Sequence, residues 1–159
     1  MSFLRYLMLL SLIVWLGGLI FFAFVLAPTA FAVLPSRHLA GSVVGRSLGS
    51  LHWMAIIAGV IFLASSILYS RLSKGTLQVF AARHVVVCLM LLLTLISQFG
   101  IVPRMQTLRT SMGEIDSVPL NNPARMQFDD LHIWSTRVES GVFLLGLVLV
   151  YLTAVALSA

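Results

Sequence analysis

Val85-Val86-Val87-Cys88-Leu89-Met90-Leu91-Leu92-Leu93-Thr94-Leu95-Ile96-Ser97-Gln98-Phe99-Gly100-Ile101-Val102 carries no formal charge along its whole length. As a helix rising about 1.5 Å per residue, it nearly crosses the roughly 30 Å hydrocarbon core of a bilayer. Three more runs of the same character occupy Phe3 to Ala27, Leu51 to Tyr69, and Val142 to Leu157, the last reaching back towards Ser140. A backbone in lipid must satisfy its own hydrogen bonds, so each run should be a helix. The pattern predicts an all-α polytopic membrane protein. It is a single domain over residues 1–159, a four-transmembrane-helix bundle with spans near 3–27, 51–70, 84–102 and 140–158.

Composition points the same way. The chain is 60% hydrophobic and 9% charged, where a soluble domain carries about 25% charged residues. The spans leave no length for a separate soluble domain. The net charge is +5, but the basic residues sit mostly at span ends instead of forming a patch. There they anchor helices at headgroups and attract anionic lipid, and nucleic acid is excluded as a partner. Arg5 followed by an apolar run and Ala30-Phe31-Ala32 has the outline of a signal peptide. The run is too long for one, so a retained span is expected. The single Cys88 excludes an intrachain disulfide.

Local signals set the expected helix ends. Pro28 should stop the first helix at Ala27. Ser36 is a plausible N-cap for a second helix beginning at Arg37, and Asn122-Pro123 reads as N-cap and first turn of the fourth. Ser70 to Gly75 reads as a polar turn. The third helix begins near Leu77 or Arg83 and runs through Val102, or on towards Met112 despite Pro103. Helices two and four should therefore extend beyond the membrane on one side. Gly41, Gly45 and Gly49 recur every fourth residue, a stripe that lets another backbone approach closely, and His52 falls near the same face. Arg71, Lys74 and Arg83 crowd a short connection without an acid. That density favours cytoplasmic termini, although a raw count of basic residues favours the reverse.

With four spans, the chemically capable residues gather on one side of the membrane. Phe128, His132, Ser135 and Glu139 step by four, three and four, so they share a helix face. Thr94, Gln98, Met105 and Arg109 form a second stripe. With His52 opposite, the two stripes would frame a pocket whose polar partners are Arg46, Gln98, Arg104, Arg109, Ser135 and Glu139. His52, His132 and Met105 are the candidate ligands for a transition metal such as copper, or for haem, with Arg104 and Arg109 pairing propionates. Plainer alternatives exist for each. His52 can simply hydrogen-bond across helices, His132 can be solvated, and Glu139 can neutralise Arg137, Arg104 or Arg46. His38 and His84 should be interfacial. No catalytic residue stands out: there is no metalloprotease motif, paired cysteine, phosphate loop or triad. A non-enzyme reading is therefore favoured over His132 and Glu139 acting as acid and base.

Trp15-Leu16-Gly17-Gly18-Leu19-Ile20-Phe21-Phe22 with Ala27-Pro28 resembles the first span of a family of small bacterial membrane proteins, domain of unknown function 4149, or transmembrane protein 205-like. Arg46 with Leu51-His52, Pro103-Arg104-Met105 with Arg109, and Phe128-Asp129-Asp130-Leu131-His132 with Ser135 resemble its further motifs. The Trp-x-Gly-Gly span is also similar to that of CopD-type copper-resistance membrane proteins and, more distantly, of HemJ-type haem-pathway proteins. The resemblance implies metal or haem handling in a bacterial inner membrane. The competing expectation is a non-catalytic accessory subunit of a larger electron-transfer or photosynthetic membrane complex, contacting pigment or lipid. A homo-oligomer would suit the glycine-rich faces equally.

Overall fold

The computed structural model describes residues 1–74 and 81–158, with side chains through 73 and from 81 to 157. Every described element is helical. Four long helices form the bundle: α1 (Ser2–Val33), α2 (Arg37–Lys74), α3 (Ala82–Met112) and α4 (Pro123–Ser158). Each is long and apolar enough to cross a membrane. Sequential neighbours pack together, α1 on α2, α2 on α3 and α3 on α4, and α1 also meets α4. The outward faces carry Phe3, Ile13, Phe24, Ile57, Leu92, Leu144 and Tyr151. A closed bundle with an apolar exterior is an integral membrane protein in a lipid bilayer.

The caps follow the local signals. Ser36 Oγ accepts from the Leu39 backbone N–H at 3.2 Å, and Asn122 Oδ1 accepts from Ala124 N–H at 2.9 Å. Gly113, at φ 63°, closes α3 in a conformation that a side chain would resist. Ile115–Ser117 then makes one tight turn, and Arg125 reaches back to the Ile115 carbonyl and across to Asp129, tying the connection to α4.

Two boundary expectations need correction. Pro28 does not end α1, which continues to Val33. Ahead of it lies a π-helical turn, Phe22–Leu26, and the same device, Ser97–Ile101, precedes Pro103 in α3. Proline lacks an N–H and its ring crowds the carbonyl four residues back. The wider π turn re-spaces the backbone just before each ring, so each helix bends past its proline without breaking. Hence α1 and α3, like α2 and α4, run longer than a single crossing requires. Second, Ser70 to Lys74 is the last turn of α2 and not a connecting turn. Gly75 and a start near Leu77 lie outside the described residues.

One core joins all four helices. Trp15, Phe62, Val87, Met90, Val142 and Leu149 are each at most 2% exposed within it. Gly59 lets α1 and α3 close on α2: a Cβ there would lie 2.6 Å from both Trp15 Cζ3 and Leu91 Cδ2. Gly59→Val should therefore destabilise the bundle by about 1–3 kcal/mol, the usual cost of overpacking. Denaturation in mixed detergent micelles, followed by far-ultraviolet circular dichroism, would register it. Wild-type stability in that variant would mean that Trp15 and Leu91 are free to withdraw.

Candidate functional site

A buried polar network sits where α2, α3 and α4 converge. His52 is 1% exposed. Its Nδ1 lies 2.9 Å from Gln98 Oε1 and its Nε2 lies 2.8 Å from Glu139 Oε1. Ser97 Oγ donates to the same Glu139 oxygen at 3.1 Å. The His52–Glu139 contact is thus a close interhelical pairing of two ionisable side chains. Such pairing is what makes an ionisable group tolerable at membrane depth. Of the plainer alternatives, His52 does hydrogen-bond across helices. Glu139 is paired with His52 and not with Arg137, Arg104 or Arg46. Arg137 instead lies over the Trp134 ring at 5.3 Å.

Beside this network, a cavity of about 560 Å³ opens between the far half of α1 and helices α2, α3 and α4. Most of its wall is apolar, including Leu19, Phe22, Phe24, Phe31, Val44, Leu48 and Phe143. The polar residues that reach it are Gln106, Arg109, His132, Ser135, Thr136, Glu139 and Ser140. Met105 lines it as well.

The glycine stripe builds the floor beneath Arg109. A Cβ at Gly41 would stand 2.6 Å from Arg109 Nη2, and one at Gly45 would stand 3.4 Å from Nη1. Gly49 faces Gln98 Oε1 at 4.0 Å. The stripe therefore admits close approach, as its spacing predicts, but what approaches is a pair of polar side chains and not another helix backbone. The guanidinium of Arg109 also lies over the Phe128 ring at 5.2 Å. Its Nε is buried without an acceptor, and no carboxylate among the described residues pairs with it. The cavity thus holds a guanidinium with no carboxylate partner among the described residues, beside the His52–Glu139 pair.

The remaining candidates fall into two groups. His132 and Met105 reach the cavity with Arg109, Ser135 and Glu139. The His132 imidazole is exposed and makes no hydrogen bond among the described residues. Arg46 and Arg104 are exposed and outside the cavity wall. His52 is in the network and not in the wall, so the two histidines occupy different settings. Among the described residues, no three His, Cys, Asp or Glu side chains come together as a metal site.

The spacing argument missed a second polar cluster at the opposite end of the bundle. His84 was expected at the interface but is 2% exposed, with Nε2 2.8 Å from Ser66 Oγ. Arg83 donates from Nε to Ser66 Oγ and from Nη2 to Ser70 Oγ. Arg5 donates to Tyr69 Oη from Nη2 at 2.7 Å and from Nε at 3.1 Å. The signal available in the sequence was Ser66, Tyr69 and Ser70, spaced for one face of α2 within an apolar run.

This is a four-helix integral membrane protein with a largely apolar cavity and a His52–Glu139 pair at its side. The chain belongs to the family described as domain of unknown function 4149, whose model matches residues 10–114. The match ends before α4, so Phe128 to Ser135 lies outside it. Neither the curated proteins nor the solved structures provide a match.

Proposed function

We propose that the protein binds an amphipathic organic anion within the bilayer, its acidic head on Arg109 and its apolar body between α1 and α4. The observation that carries this reading is the unpaired Arg109 guanidinium in the wall of a largely apolar cavity. A buried cation without a carboxylate partner seeks an anion, and an arginine fork suits a carboxylate or phosphate. Pockets with apolar walls and few polar groups orient a ligand by those groups. Haem is a member of this class favoured by the likeness of Trp15-Leu16-Gly17-Gly18 to the CopD-type and HemJ-type proteins. Arg109 would hold a propionate, and His132, free of competing hydrogen bonds, would be the imidazole nearest to use. Copper alone is less well served, because both ring nitrogens of His52 are already engaged and His132 and Met105 are left as its donors. The accessory-subunit reading rests on the short chain and on glycine faces suited to helix docking, and Gly41, Gly45 and Gly49 already face Arg109 and Gln98 of the same chain.

Mass spectrometry of molecules extracted from detergent-purified protein, with an absorption spectrum and elemental analysis of the same sample, tests the reading. Wild type should carry an acidic amphiphile, seen as a haem band if haem is the ligand. Arg109→Gln should reduce its occupancy about tenfold or more, since a hydrogen bond to a charged group contributes about 1.5–3 kcal/mol. Gly41→Ala should reduce it too, because its Cβ would displace the guanidinium, which can move without unfolding the helix. Equal occupancy in wild type and Arg109→Gln would overturn the proposal. Stoichiometric copper without an organic ligand would replace it with the metal reading.

A further inference from the structure

We infer that the end of the bundle built from Arg5, Tyr69 and Arg83 is a binding site for a phosphate group of an anionic lipid. It is separate from the cavity of Arg109. All five acidic residues of the chain, Glu114, Asp116, Asp129, Asp130 and Glu139, fall between the end of α3 and the middle of α4. The opposite end holds Arg5, Arg71, Lys74 and Arg83, and no acidic side chain in the sequence is available to it.

Three helices hold the two arginines there in fixed directions. Arg5 comes from α1 and is tied to Tyr69 Oη, and its guanidinium also lies 5.3 Å from the Tyr69 ring centre. Arg83 comes from α3 and is tied to Ser66 and Ser70. Tyr69, Ser66 and Ser70 all come from α2. Each guanidinium has five N–H donors, and the hydroxyls here use two of each. The rest have no acceptor among the described residues, so two oriented forks remain with neutral partners at the end of a membrane span. Such forks match a phosphate bidentately. At headgroup level the abundant phosphate is that of lipid, and the negative charge of an anionic lipid adds to the attraction. Inorganic phosphate offers the same chemistry from solution.

The test is native mass spectrometry of the full chain with equimolar phosphatidylglycerol and phosphatidylcholine. Wild type should retain phosphatidylglycerol about tenfold over phosphatidylcholine, as expected when two arginines each favour an anionic headgroup. Arg5→Gln, at an exposed position, should lower that preference several-fold without affecting the fold. Arg5→Gln/Arg83→Gln should bring it to parity, while Arg5→Lys/Arg83→Lys should keep only part of it, because the charge stays and the fork is lost. Millimolar inorganic phosphate that strips the adduct would support the site and identify its ligand as soluble phosphate. An unchanged adduct would support it as a lipid site. Equal phosphatidylglycerol retention by wild type and Arg5→Gln would overturn the inference, as would a wild-type preference no greater than that of the double glutamine variant.

Discussion

His52→Leu should destabilise the bundle by about 3 kcal/mol, and adding Glu139→Leu should recover most of the loss. His52 and Glu139 meet at 2.8 Å, with the histidine side chain 2% exposed and the glutamate 15%. Leucine nearly conserves the histidine's volume, so the single variant leaves little cavity. What it leaves is a carboxylate at membrane depth with Ser97 as its last partner. Breaking a buried pair by removing one member costs about 3–5 kcal/mol, whereas replacing both members by apolar residues is often neutral. The lower figure applies because Glu139 reaches the cavity and is not fully enclosed. An interhelical hydrogen bond in a membrane averages only about 0.6 kcal/mol, so loss of hydrogen bonding alone would be several-fold smaller. The double variant still strands the Gln98 amide, and its remaining deficit should be about 1 kcal/mol. Detergent-micelle denaturation of the four proteins in this cycle measures the coupling. If the double variant loses the sum of the two single losses, His52 and Glu139 contribute independently and the pair is not the unit described above.

The sequence made the spans legible because a bilayer leaves a chain few choices: long apolar runs must be helical, and Ser36 and Asn122 mark two beginnings with recognised chemistry. Pro28 misled because a π turn has no sequence signature of its own. Its presence is known only once the backbone has been re-spaced. The faces holding His52, Gln98 and Glu139 could be read from helical periodicity, but their mutual pairing could not, since periodicity does not specify how far two helices slide along one another. That slide decides that Glu139 meets His52 and not an arginine. Gly41 and Gly45 show the same gap. Their spacing announces close approach, while the approaching group, Arg109, comes from a helix whose rotation is altered by the Ser97–Ile101 turn. His84 was misread because its partner, Ser66, is small, neutral and inconspicuous within an apolar run.

A fragment ending at Gly113 should fail to fold, although it contains nearly all of the segment matched by the family model. The cut removes α4, which supplies Val142 and Leu149, both fully buried, and the wall of the cavity formed by His132, Glu139 and Phe143. Met90, itself fully buried, packs in the same core, and Leu16 reaches Gly146 so closely that a Cβ there would collide with it. Without α4, these apolar positions can turn to lipid at little cost, because lipid tails are as apolar as leucine and helix association rests on packing and hydrogen bonds. His52 cannot do so. It loses Glu139 and remains at membrane depth beside Gln98, with a ring nitrogen unpaired. The fragment should therefore keep helical circular dichroism, as isolated spans do, yet lose protease resistance and resistance to unfolding by denaturing detergent. Supplying residues 114–159 as a separate chain should restore both, because the lost contacts lie between helices and the connection at Gly113 carries none of the pairing. A fragment that stays protease-resistant by itself would mean that α1 to α3 form the stable unit and that α4 is an added helix.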